Sequence, residues 1–184
     1  MPGASACRLA VCAAIVSNEC YVQAGAEPAT IPVMNPIHRL EIIVPAEVLD
    51  RNRHVNNVAY VQWMQDAAIQ HSAATGCTRM TEAIGATWVA RMHRIEYLSP
   101  AFAGEAITVL TWVADFRKVR SLRRYKFIRA ADQKTLAHGE TDWVLVDAAT
   151  GRPRAIPSEM ANLFEMVPDE PHNAPRKPPA SGRK

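Results

Sequence analysis

The chain has 184 residues, 48% of them apolar and 21% charged, with a formal net charge of +3. That length suits one compact domain with tails and is short for two, and the apolar share is that of a chain able to bury a core. A charge so close to neutral gives no ground for nucleic-acid binding, and no apolar run reaches the roughly 20 residues of a membrane-spanning helix.

Residues 1–33 read as an N-terminal extension outside the folded part. Arg8 precedes the apolar stretch Leu9 to Val16, and Ala24-Gly25-Ala26 resembles a small-residue cleavage site, which is a weak secretory pattern. A disordered extension, or a start at Met34, fits the same residues. Cys7, Cys12 and Cys20 lie in this segment and Cys77 stands alone later, with no Cys-x-x-Cys pair, so neither a zinc site nor any other metal or cofactor is expected. A single thiol in the folded part suits a reducing compartment and a cytoplasmic protein. Residues 167–184 are rich in Pro, with Arg176, Lys177, Arg183 and Lys184, and are expected to be a disordered, solubilising tail. The domain itself is placed at 34–166.

Within it, His38 to Pro45 predicts a first strand stopped by proline. Tyr60, Trp63, Met64, Ala67, His71 and Ala74 recur at helical spacing and predict a long helix over 57–74, with Gly76 as its stop. Small residues (Ala67, Ala68, Ala73, Ala74) on its inner side allow close approach to a sheet. Strands follow at Thr87 to Tyr97, Glu105 to Phe116, Ser121 to Ala130 and Leu136 to Val146, the third of these with Tyr125 and Phe127 on one face and Leu122 and Ile128 on the other. A short helix is expected within Pro157 to Met166. Short links between the late strands predict an antiparallel meander. The class is α+β: an antiparallel sheet wrapped around one long central helix. Several strands carry large apolar groups on both faces, so pairing with a second copy is expected, as a homodimer or homotetramer.

The segment Asp50-Arg-Asn-Arg-His-Val-Asn-Asn57 holds one carboxylate, one imidazole and three carboxamides at the entrance to that helix. An Asn or Asp helix cap would account for one of them. A carboxylate beside the unpaired N–H groups of a helix end suits hydrolysis of a polarised carbonyl, because the amides stabilise a developing oxyanion while the acid activates or replaces water. Asp50 through Trp63 resembles the signature of hotdog-fold thioesterases, most closely that of acyl-ACP thioesterases, and Ile95-Glu-Tyr-Leu-Ser-Pro-Ala-Phe-Ala-Gly-Glu105 is similar to their Tyr-x-x-Pro-x-x-x-Gly-Asp junction.

That resemblance covers roughly residues 38 to 165 and implies a hotdog fold and an acyl thioesterase acting on an acyl-CoA or an acyl carrier protein thioester. It implies Asp50 as nucleophile or general base, the Asn57 backbone N–H as oxyanion donor, and Asn52 and His54 as groups that position water and the carboxylate. The alternatives for Asp50 are helix capping or pairing with Arg51 or Arg53. Asn56 is read as structural, and Tyr60 and Trp63 as core or wall of the acyl pocket. Where the plant enzymes carry a glutamate after the next strand this chain has Pro100, and Asp66 is out of register with the helical glutamate of other relatives. Arg117, Lys118, Arg120, Arg123, Arg124 and Lys126 form a basic run whose plain reading is a solvated face; Arg117, Lys118 and Arg120 are the residues expected to take a carrier's phosphates or acidic surface. Two other functions fit the same fold, an enoyl-thioester hydratase and a non-catalytic acyl-binding module. The Val-Asn-Asn-Val-Ala-Tyr sequence and the absence of Asp-x-Asn-Pro-x-His favour the hydrolase over the hydratase. Isolated His71, His93 and His138 are expected to be ordinary core or surface residues.

Overall fold

A computed structural model describes residues 35–167. The expectations for residues 1–33, for their three cysteines, and for the tail beyond Val167 lie outside it. The chain runs through strand β1 (His38–Ile43), a single 3-10 turn (Ala46–Val48), helix α1 (Asn57–Ala74), a short helix α2 (Cys77–Ala83), strands β2 (Ala86–Tyr97), β3 (Ala106–Arg117), β4 (Arg120–Arg129) and β5 (Thr135–Asp147), and a last turn of helix, α3 (Ser158–Ala161). All five strands join one antiparallel sheet in the order β1-β3-β4-β5-β2. The expected meander is therefore β3-β4-β5. The strand before α1 has closed one side of it, and the strand after α1 the other.

Alternation decides which side chains face the helix. On β4, Tyr125 and Phe127 are fully buried, paired with Thr111 and Val109 of β3 and with Gly139 and Ala137 of β5. From α1, Ala59, Tyr60, Trp63, Met64, Ala67, Ala68 and His71 are buried, a stripe at helical spacing that packs on this inner face. Met64 packs directly on Gly139: a Cβ there would stand 2.8 Å from its Sδ, so the missing side chain in β5 is what admits the thioether. Ala67 and Ala68 lie inward as expected, whereas Ala73 and Ala74, in the last turn, are exposed.

Helix α2 is not among the expected elements. Gly76, at φ +81°, ends α1 with a left-handed residue and at the same time serves as the N-cap of α2, so one glycine marks a stop and a start. Helix α2 covers the end of the sheet remote from the α1 N-terminus through a second small core of Cys77, Ala86, Leu145 and Met160. The Cys77 thiol is free and buried, and burial pushes its pKa up. Of the stretch 157–166, only Ser158–Ala161 is helical.

The basic run does not form one face. Arg120, Leu122, Arg124 and Lys126 share the outer parity of β4, while Arg123 has the parity of Tyr125 and points into the protein, 4% exposed. Its Nη1 donates to Nδ1 of His71 at 2.8 Å and to Oγ1 of Thr111 at 3.3 Å. On the outer face, Arg120 and Arg91 both engage Asp142. Burial alone would raise the Asp142 carboxyl, but the two guanidiniums hold it below the usual carboxylate range.

Candidate functional site

The chain between the 3-10 turn and α1 folds back on itself. Leu49 and Val55 form an isolated antiparallel bridge, the Asp50 N–H donates to the His54 carbonyl at 2.7 Å, and the Asn56 N–H donates to the Val48 carbonyl at 2.8 Å. Asp50 thus stands beside the entrance of α1, although six residues lie between it and Asn57. The tight return requires a left-handed residue, taken by Arg53 at φ +64°.

Asp50 is exposed, and its Oδ1 accepts the backbone N–H groups of Asn52 at 2.8 Å and His54 at 3.1 Å. One carboxylate oxygen therefore ties the loop; the other has no hydrogen-bond partner among the described residues. Neither Arg51 nor Arg53 pairs with it there, and it does not cap the helix. The cap is Asn56, whose Oδ1 accepts the Ala59 N–H at 2.8 Å, so Asn57 is the first helical residue rather than the cap. Among the described residues the backbone N–H groups of Asn57 and Val58 meet no acceptor, as the first turn of a helix dictates. Asn56→Ala should cost about 1 kcal/mol of stability by losing this cap, read as a lower midpoint in urea at unchanged slope.

The loop is clamped from the second motif. The Val55 N–H donates to the Ala101 carbonyl at 2.9 Å, and Val44 and Gly104 exchange a further bond with Gly104 donating at 2.9 Å. Glu105 holds this junction in shape: its Oε2 accepts the Phe102 N–H at 3.0 Å, and its Oε1 pairs with Arg129 Nε at 3.1 Å, while Arg129 Nη2 donates to the Pro100 carbonyl at 2.8 Å. Arg129 is a supporting residue that the sequence gives no spacing to find, since it arrives from β4. His54 is half-buried with its ring edge against Phe102, centroids 5.2 Å apart. The Asn52 side chain is exposed.

Tyr60 and Trp63 are core: Tyr60 is 2% exposed and packs against Trp63, Tyr97 and Phe127 at 5.0 to 5.5 Å. Burial pushes the Tyr60 phenol up to about 12, so it stays a neutral hydroxyl. Tyr97, Leu98 and Phe102, beside the loop, each leave more than 40% of their surface exposed, an apolar border to the polar loop. Arg117, Lys118 and Arg120 are not part of this assembly. They form the β3–β4 hairpin, eleven residues along β3 from the junction, which is roughly 35 Å in an extended strand. His93 donates or accepts with Thr141 on β2 and β5, and no three His, Cys, Asp or Glu side chains among the described residues converge as a metal site. No helix among them is long and apolar enough to cross a membrane.

Known structures share the architecture. The YbaW protein of Escherichia coli matches with a TM-score of 0.64 at 18% identity, over 68% of this chain and 95% of that one. A 1,4-dihydroxy-2-naphthoyl-CoA thioesterase from Synechocystis gives 0.63 at 15% identity, over 70% and 95%. The 12:0-ACP thioesterase of Umbellularia californica gives 0.65 at 18% identity, over 71% of this chain and 51% of that one. At such identities the likeness speaks to the fold, which is the hotdog arrangement expected from the motif. A comparison with curated protein sequences gave no match. The sequence model of the thioesterase-like superfamily, however, matches residues 44–164, roughly two thirds of the chain and the whole of the region from the first loop to the last helical turn. The chain belongs to the thioesterase-like superfamily.

Proposed function

We propose that this protein hydrolyses an acyl-CoA or acyl carrier protein thioester to a free carboxylic acid and a thiol, with Asp50 as the acting carboxylate. The observation that carries the reading is the division of labour at Asp50: one oxygen is bound to loop amides and the other meets no partner among the described residues, in a loop whose backbone pairing returns Asp50 to the entrance of α1, where the N–H groups of Asn57 and Val58 are unpaired. With the thioester carbonyl oxygen on the Asn57 N–H, charge developing on that oxygen is stabilised by a donor that needs no reorganisation. Water deprotonated by Asp50 adds to the carbonyl carbon, the C–S bond breaks, and the proton returns to the thiolate. Alternatively Asp50 itself adds to the carbon, the C–S bond breaks to release the thiolate, and water then cleaves the resulting anhydride, regenerating Asp50 and giving up the proton the thiolate takes. His54 and Asn52 orient the water and the acid, and Tyr97, Leu98 and Phe102 border an apolar acyl group.

A homodimer formed along β2 completes the reading. β2 is a twelve-residue edge strand that exposes Val89, Met92 and Tyr97, a surface that invites another strand. In an antiparallel β2–β2 seam the hairpin end of one subunit lies toward the Asp50 end of the other. Arg117, Lys118 and Arg120 then serve the partner's carrier phosphates rather than their own subunit's.

A panel of saturated and enoyl acyl-CoA and acyl carrier protein thioesters, followed with a thiol-detecting dye and by loss of the enoyl absorbance, tests the proposal. Turnover of at least one series with stoichiometric thiol release is expected. Tight binding without release across the panel would replace the enzyme by an acyl-binding module, and turnover confined to enoyl thioesters, without thiol release, would replace it by a hydratase.

A further inference from the structure

Arg123 borders a cleft of about 290 Å³ that none of the residues Asp50 to Asn57 lines. The cleft lies between the second half of α1, helix α2 and the sheet, and its walls are largely apolar, with Ile69, Val113, Phe116 and Phe164 among them. Arg123 supplies the charged donor from the sheet side, where Trp143 also lines the wall, and the exposed Glu82 stands on the α2 side.

What is unusual here is a buried cation without a counter-charge. No carboxylate among the described residues lies within ion-pair distance of Arg123. Its contacts there are the neutral acceptors His71 and Thr111, both through Nη1, and the ring of Phe164 with its centroid 5.7 Å from the guanidinium carbon. A guanidinium has five N–H donors in a planar fork suited to a carboxylate, and burying it unpaired is costly. A buried guanidinium held only by neutral acceptors at the wall of an apolar recess selects an anion with an apolar body.

We infer that this cleft binds a carboxylate carried on a compact apolar group, with Arg123 as the residue that recognises the anion. Glu82 works against this at the exposed side, which sets the orientation: the carboxylate inward on Arg123, the apolar body between Ile69 and Phe116. Two sources have this chemistry, a free acid and the far end of an acyl thioester that bears a second carboxylate and lies across the β2 seam of the proposed dimer; within one subunit Val113, which pairs with Arg123, stands seven residues along β3 from Ala106, roughly 23 Å and beyond the reach of a six-carbon acyl group. The free-acid arm of the test requires no turnover, so it stands or falls separately from the thioesterase reading.

The experiment uses the full chain and the tryptophans of the cleft, Trp88 and Trp143, as fluorescent reporters. 3-Phenylpropanoate is titrated against its uncharged amide, and adipoyl-CoA is compared with hexanoyl-CoA in thiol release. The expected result is acid binding at least tenfold tighter than amide binding, with the difference abolished in Arg123→Met. A tenfold preference in kcat/KM for adipoyl-CoA that vanishes in the same variant would assign the acyl terminus as the source; acid binding without that preference would assign the free acid. Equal binding of acid and amide, or binding of neither, together with no preference for adipoyl-CoA, overturns the inference. Both comparisons are made on the unmodified protein, so they stand even if Arg123→Met fails to fold.

Discussion

Asp50→Asn should lower turnover at least about a hundredfold while leaving the protein folded. The substitution is chosen because the structure separates what the carboxylate holds from what it can do. An asparagine Oδ1 still accepts the N–H groups of Asn52 and His54, so the return of the loop, the Leu49–Val55 bridge and the placement of the α1 entrance survive. What disappears is the charge and the second acceptor oxygen, the two properties needed to activate water or attack carbon. Circular dichroism and the urea midpoint are expected to match those of the unmodified protein. A variant with near-normal rates would remove Asp50 from the chemistry. Asp50→Ala would be less informative, because it leaves two loop amides without their acceptor as well.

The second large effect concerns acid. His71 is buried between α1 and the sheet, where it accepts a hydrogen bond from Arg123 and stacks on His38 at 5.4 Å. Burial first, then the Arg123 charge and then His38, push its pKa down from 6.5 to about 3. Between those values the unfolded chain binds the proton and the folded one does not. Stability from this residue is therefore fully present above pH about 6.5 and is lost as pH falls toward 3, at up to about 1.4 kcal/mol per pH unit. Asp142, held low by Arg120 and Arg91, adds a loss of the same sign in acid. His71→Gln keeps an acceptor for Arg123 and removes the titration, so urea midpoints measured from pH 7 to pH 4 should fall less steeply in the variant. Parallel curves would show that His71 does not titrate in the fold as described.

How far the sequence reveals this molecule varies by element. The long helix and all four later strands lie within two residues of their expected limits, because their apolar periodicity is the same fact as their burial: Tyr60, Trp63, Met64 and Ala67 on one stripe, Tyr125 and Phe127 on one parity. Helix α2 escapes such reading because seven residues are too few for a period, and because Gly76 carries the ordinary meaning of a stop. Arg123 escapes it for a different reason. A run of basic residues suggests solvent, and only the alternation of the strand, taken against that suggestion, turns one member inward.

The site shows the same division. Asp50, His54 and the asparagines were visible as a cluster and through their resemblance to a family, but which asparagine caps and which begins the helix depends on a single backbone step. The clamp of the loop by Ala101, Glu105 and Arg129 is made between segments far apart in sequence, where no local pattern records it. The basic hairpin residues illustrate the limit of adjacency in sequence: Arg117, Lys118 and Arg120, expected to hold a carrier's phosphates or acidic surface, follow one another closely yet stand at the opposite end of the sheet from Asp50 of their own subunit.

The measurement that bears most directly on the whole account is mass analysis of the products from one saturated acyl-CoA that the unmodified protein turns over, set beside Asp50→Asn at equal times. Free acid and coenzyme A thiol in equal amounts from the former, with intact thioester from the latter, is the predicted outcome. Equal acid from both proteins would contradict it.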